Sequence, residues 1–268
     1  MEEMHSLFHL PHGYEYPWLV LTAFLAGIIN SVAGGGGFLA FPSLMHVGIA
    51  PVEANATNTV ALWPGQFTSI AAYRREVMVN TRLILPCVAA AATGGTAGAW
   101  VLLHTGQANF YRLVPWLFLM GAVMFSISGP VSRAMQRRRE RENEEEHLHP
   151  VWLGVILTVV CFYIGYFGAG AGFITMTVLS LFGVHKLAEI NALKVITTTV
   201  ANGVAVIAFI LGGAVEWHYC VAMMAACAVG GYVGAHNGRK ISDRVLRPII
   251  TTFAYIVAAY FFWKQAHA

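Results

Sequence analysis

Lys194 is the residue with the most chemistry to offer, because it opens an otherwise apolar run that continues from 195 to 211. Asn191, Thr198 and Asn202 lie three, four and eight residues from it, so an ammonium, two amides and a hydroxyl share one face of any helix formed there. A cation near the centre of a bilayer costs about 2.5–3.5 kcal/mol on insertion scales, and in the first turns of a helix it also opposes the helix dipole. Two readings follow: attraction of an anionic substrate, or snorkelling to the nearby cytoplasmic interface. The amide and hydroxyl neighbours favour the first. The first half of the chain carries a related but neutral stripe at Asn55, Asn58, Leu62 and Gln66. Glu53 and Glu189 stand at matching entrances to the two segments, as candidate proton carriers or as residues that stabilise a helix N-terminus.

These residues belong to a duplicated pattern. Gly34, Gly35, Gly36 and Gly37 precede Phe38, and Gly168, Gly170 and Gly172 precede Phe173, 135 residues further on. Each cluster is followed by a short apolar run closing at Gly48 or Gly183, then by the polar stripe, then by Gly94-Gly95-Thr96-Ala97-Gly98 or Gly230-Gly231-Tyr232-Val233-Gly234. After Gly48 the offset becomes 136, which leaves Asn58 and Thr59 as rival counterparts of Lys194. Interrupted hydrophobic segments at matching places in two halves point to a transporter's binding site. Glycine disfavours helix by about 1 kcal/mol relative to alanine, so the clusters break their segments. A helix restarting at each break would aim free N–H groups and a partial positive charge at the membrane interior, an anion site without a charged side chain. The plainer alternative is close helix packing at small residues.

The setting is a membrane. Apolar residues make up 57% of the chain and charged ones 11%, and the mean hydropathy is +0.62, which leaves too little charge for a soluble domain. Ten apolar segments are expected, at 18–33, 38–50, 56–73, 83–103 and 113–129, then 151–167, 173–184, 191–211, 219–237 and 248–263. Five per half inverts the second half. The expectation is an all-α integral membrane protein with repeats at 18–130 and 151–264 and a charged cytoplasmic linker at 131–150. Two arrangements fit the first two segments of each repeat, a pair of tilted spans joined by a glycine turn or a re-entrant hairpin, which the charge pattern does not separate; the arms 38–47 and 173–181 are too short to cross about 30 Å of hydrocarbon, which favours the hairpin. Basic residues gather at Arg74, Arg75 and Arg82, at Arg133 to Arg141, at Lys186, and at Arg239 to Arg247. The positive-inside rule makes these loops cytoplasmic and both termini external. Trp18, Trp100, Trp116, Trp152, Trp217 and Trp263 near segment ends suit interfacial belts.

Other chemistry is not expected. Neither glycine cluster leads into Gly-Lys-Ser/Thr or follows a soluble strand, which argues against nucleotide binding, and nothing calls for a nucleic-acid partner. No Ser-His-Asp or HExxH arrangement suggests an intramembrane enzyme. Cys87, Cys161, Cys220 and Cys227 lack CxxC spacing and read as buried small hydrophobes. His5, His9, His12 and His267 near the termini are the nearest thing to a metal cluster, but terminal tails often carry histidines without function. No metal or cofactor is expected.

The stretch Asn30-Ser31-Val32-Ala33-Gly34-Gly35-Gly36-Gly37-Phe38, with Pro42, Leu44, Gly48 and Pro51 and then Ala54-Asn55-Ala56-Thr57-Asn58, resembles the first-repeat signature of the sulfite exporter TauE/SafE family. Tyr166-Phe167-Gly168 and Ala192-Leu193-Lys194 resemble its second repeat. The resemblance covers nearly all the chain after residue 17. It implies a plasma (inner) membrane transporter associated with export of sulfite, sulfoacetate and related anions. Many relatives resembling this chain carry lysine directly after the Thr-Asn of the first repeat, where Thr59 stands here. The expectation is a secondary transporter that moves a small sulfur oxyanion by alternating access, with the glycine tips and both stripes around one site. Its rivals are a carrier of another solute or metal ion, and a non-transporting scaffold or sensor.

Overall fold

The computed structural model describes residues 13–67, 81–142, 150–182, 184, 187–237 and 243–267. Every regular element among them is a helix: α1 (Glu15–Ala33), α2 (Gly37–His46), α3 (Pro51–Leu62), α4 (Thr81–His104), α5 (Gln107–Glu142), α6 (Pro150–Tyr166), α7 (Ala171–Leu181), α8 (Leu187–Leu211), α9 (Trp217–Asn237) and α10 (Asp243–Ala266). Leu83–His104, Gln107–Ile127 and Glu189–Leu211 are long and apolar enough to cross a membrane, and Trp152–Tyr166 is a shorter apolar helix. Large apolar side chains also cover the outside, Leu85, Val159 and Leu211 among them. In water this would be prohibitive; facing lipid it is what a multi-pass protein needs. The six tryptophans expected in belts are all exposed.

Both glycine clusters end one helix and begin another. Gly34 closes α1 in the left-handed conformation at φ 72°, and Gly168 and Gly170 turn the chain between α6 and α7 at φ 76° each, a region a Cβ disfavours. The chain then doubles back. A β-carbon on Gly36 would overlap the Ala26 carbonyl of α1, and at the far ends of the two helices the rings of Trp18 and His46 lie 6.0 Å apart. At ten and eleven residues, α2 and α7 reach only about 15 Å.

The second pair of glycine motifs does different work. Along α9, Gly230 and Gly234 press against the backbone of Phe24 and Ile28 in α1, and Gly27 of α1 presses back on Cys227 and Gly231. Along α4, Gly94 and Gly98 press in the same way against Thr158 and Phe162 in α6, and Gly165 of α6 sits on Gly95. Small residues four apart let helix backbones meet in a membrane. The tip-bearing helix of each half is therefore gripped by the other half, in parallel register, while α5 packs on α10.

Two segments depart from expectation. The third, read as 56–73, starts at Pro51 and stops at Leu62; helical turn resumes only at 64–67, because Pro64 has no N–H to offer the preceding turn. The boundary expected at 130 is no helix end, since α5 continues through the basic run to Glu142, a stretch of Arg, Glu, Gln, Met and Ala that favours helix. Arg74, Arg75, Lys186, Arg239, Lys240, Gly183, His5, His9 and His12, together with linker residues 143–149, lie outside the described residues.

Candidate functional site

The two tips meet backbone to backbone. A β-carbon on Gly34 would stand 3.4 Å from Gly172 Cα, and one on Gly37 would stand 3.7 Å from Ala169 Cα. Gly34 and Ala169 are 135 residues apart, as are Gly37 and Gly172, so the two contacts are one contact made twice. Phe38 is fixed beneath the second tip, its ring about 3 Å from where β-carbons would lie on Gly121 and Gly170. Tyr163 donates its hydroxyl to Ala169 O at 2.7 Å and so pins the turn from below.

Where the tips cross, a cavity of about 50 Å³ opens, lined by Asn30, Ser31 and Gly34 from α1 and its end, Gln66, Ile164, Gly168, Ala171 and Gly172 from the second tip, and Lys194, Val195, Thr198 and Asn202 from α8. One water needs about 10–15 Å³ on the same measure, so the space suits a compact polyatomic ion better than a long organic molecule. The Lys194 stem lies across the first turn of α7, with Cδ 3.7 Å from where a β-carbon of Gly172 would be. An ammonium-bearing side chain and the N-terminal turn of an eleven-residue helix thus face one small polar space, and among the described residues no carboxylate lines it. Both features favour negative charge.

Of the expected site residues, Gly34, Gln66, Gly168, Gly172, Lys194, Thr198 and Asn202 come together at the cavity. Gly35, Gly36, Gly37 and Gly170 do not line it; they pack against Ile250, the Ala26 carbonyl, Ala169 and Phe38 respectively. Asn191 is half-buried and off the cavity. The first stripe is split by its own helix break. Asn55 turns to the second tip, donating from Nδ2 to Tyr166 O at 3.0 Å; Asn58 Nδ2 faces Gly37; Thr59 donates to Asn55 O at 2.9 Å. Gln66, beyond Pro64, points elsewhere and buries Oε1 without a partner. Glu53 is engaged at the entrance of α3, accepting from Gln107 Nε2 at 2.6 Å while Val52 N donates to Gln107 Oε1. Glu189 lies half-buried in the first turn of α8. Neither lines the cavity.

The neighbours of the tips also identify the counterpart of Lys194. Gly37 and Gly172 each precede a matched phenylalanine; the first meets Asn58 and the second Lys194. Asn58, not Thr59, occupies the equivalent place. Sequence reasoning missed Asn30 and Ser31 as lining residues, although two polar residues closing an apolar helix one turn before a glycine break were a visible signal. It also missed Trp63, whose indole donates to Thr199 O at 3.1 Å and whose ring lies on Gly203 of α8. Trp63 and Thr199 are 136 residues apart, so equivalent positions touch each other. The four cysteines are buried. Among the described residues no three His, Cys, Asp or Glu gather as a metal site, and His267 bonds back to Trp263 O.

Comparison with known proteins places this geometry in a family. The chain is 25% identical over 249 residues to a probable membrane transporter protein of Haemophilus influenzae, covering 92% of this chain and 94% of that one. It is 27% identical to the probable membrane transporter protein YfcA of Escherichia coli K12, over 90% of this chain and 87% of the relative. It is 26% identical to the probable membrane transporter protein ORF9 of a Sinorhizobium species, over 90% of each. No solved structure matches it. The family model described as sulfite exporter TauE/SafE matches residues 19–261, nearly the whole membrane-embedded chain, and the protein belongs to that family of multi-pass membrane transporters.

Proposed function

We propose that this protein is a secondary transporter exporting a small sulfur oxyanion, sulfite or a compact organosulfonate, by alternating access across the plasma membrane. The observation that carries the reading is the convergence of Lys194 and the first turn of α7 on a cavity that no carboxylate lines among the described residues. Asn30, Ser31, Thr198 and Asn202 supply amide and hydroxyl groups suited to the oxygens of such an ion. The cavity volume favours sulfite over sulfoacetate in this conformation.

The transport cycle rests on two inverted repeats, α1–α5 and α6–α10, each opening with a re-entrant hairpin, with both termini outside. Support comes from contacts that recur with the halves exchanged: α1 on α9 as α4 on α6, Gly34 on Gly172 as Ala169 on Gly37. Such exchange is the signature of a pseudo-two-fold axis through the tips, and inverted repeats rocking about a midplane site give alternating access. Export of a monoanion from a negative-inside cell is already favoured by about 2.3 kcal/mol per 100 mV. The test is sulfite efflux from proteoliposomes reconstituted with the purified protein. Flux well above that of protein-free vesicles, saturating with sulfite, is expected; no flux of sulfite or any small sulfonate would remove the assignment.

A further inference from the structure

Asn55 and Asn58 of α3 form a second polar cluster beside the tips, away from the residues that line the cavity. Asn55 and Asn58 are 1% and 4% exposed, and Oδ1 of each is buried without a hydrogen-bond partner. The orientation of the Asn55 amide is fixed, because Nδ2 donates to Tyr166 O at 3.0 Å, so its oxygen is the orphan. Three residues apart on α3, the two side chains share a face. Both lean on the same turn, Asn55 at Tyr166 and Asn58 beside Gly37, which itself abuts Ala169.

That turn begins at the C-terminus of α6, Tyr166. A helix C-terminus leaves carbonyls open and carries a partial negative charge, and the Tyr166 carbonyl keeps a second lone pair after accepting Asn55. Two amide oxygens and a helix C-terminus supply acceptors here, and the one acidic residue of α3, Glu53, is held by Gln107 at its entrance. Neutral oxygens at a broken-helix C-terminus are the ligands that monovalent cations take in transporters built from repeats, whereas divalent ions draw on carboxylates. Asn58 stands where Lys194 stands in the other half. We propose that Asn55 Oδ1, Asn58 Oδ1 and the second lone pair of the Tyr166 carbonyl bind an alkali cation, Na⁺ or K⁺, as the exchangeable counterpart of the tethered ammonium of Lys194.

The proposal is independent of the anion's identity and is tested without any oxyanion. Purified protein in nanodiscs is titrated with NaCl or KCl against N-methyl-D-glucamine chloride at constant ionic strength, and its melting temperature is followed. A saturable rise with one alkali ion and none with the organic cation is expected. Asn55→Ala and Asn58→Ala should move the midpoint about tenfold or more to higher concentration, and Asn58→Lys, which supplies its own ammonium, should melt independently of the ion. An ordered water in place of the cation would leave wild type indifferent to alkali ions, and that result overturns the proposal, as would alanine variants titrating like wild type. If either alanine variant fails to fold, the wild-type titration and Asn58→Lys decide alone.

Discussion

Replacing Lys194 by Met separates attraction of an anion from passive lodging of a charge. Methionine keeps an unbranched stem, so the contact with the first turn of α7, where Lys194 Cδ lies 3.7 Å from the Gly172 β-position, is retained in kind. Among what is lost is one charged donor to whatever occupies the cavity. Hydrogen bonds to charged groups contribute about 1.5–3 kcal/mol, and 1.4 kcal/mol is a factor of ten, so sulfite affinity should fall by about 10- to 150-fold. Insertion should become easier, because the variant no longer carries a cation whose insertion costs about 2.5–3.5 kcal/mol. Sulfite binding by calorimetry in nanodiscs, efflux from proteoliposomes and melting temperature together read both effects. Wild-type affinity and flux in Lys194→Met would refute the anion site. A variant that neither inserts nor folds would instead show the ammonium to be a structural element.

At the second tip, Gly172→Ala should be tolerated, since its β-carbon meets Gly34 Cα at 3.5 Å and Lys194 Cδ at 3.7 Å, yet it should weaken sulfite binding by intruding on the first turn of α7; unchanged affinity would make that turn a packing element only. Gly170→Ala should instead destabilise by about 1–2 kcal/mol from its left-handed backbone alone, with a further clash against Phe38 at 3.0 Å, and a melting temperature equal to wild type would contradict the geometry. Gly98→Ala and Gly234→Ala each drive a methyl into the backbone of the helix gripped there, at Phe162 and Ile28. Both should cost about 1–3 kcal/mol, typical of overpacking, Gly98→Ala the more, because its methyl meets the Phe162 carbonyl whereas that of Gly234→Ala first meets the Ser31 hydroxyl, which can turn aside. A melting temperature of Gly98→Ala equal to wild type would contradict the contact.

Much of this arrangement was legible from residue order. The duplicated glycines located both tips, the helical spacing of Lys194, Thr198 and Asn202 located one wall of the cavity, and the Gly94 and Gly230 motifs stood where the halves grip each other. What escaped depended on neighbours distant in the chain. Asn55 and Asn58 had the right spacing to join Gln66, but Pro64 interrupts the helix between them, and partners more than a hundred residues away decide where they turn. The register of Lys194 was undetermined because a one-residue change of offset leaves two polar candidates side by side. Only the contact of Gly37 with Asn58 resolves it. Gly35, Gly36 and Gly170 look like Gly34 and Gly172 in the sequence, and nothing local separates a glycine that lines a cavity from one that admits a carbonyl or a ring.

The grip of α9 on α1 bears on how the chain is made. The helix α1 finds its backbone partner only when Trp217–Asn237 has been synthesised, about 200 residues and, at 5–20 residues per second, roughly 10–40 s later. During that interval the first hairpin has neither α9 against Gly27 nor the second tip against Gly34, and its open backbone groups need an interim partner in the insertion machinery or among lipid headgroups. A chain truncated after residue 150 should fail to hold α1, α2 and α3 together unless the missing half is supplied beside it.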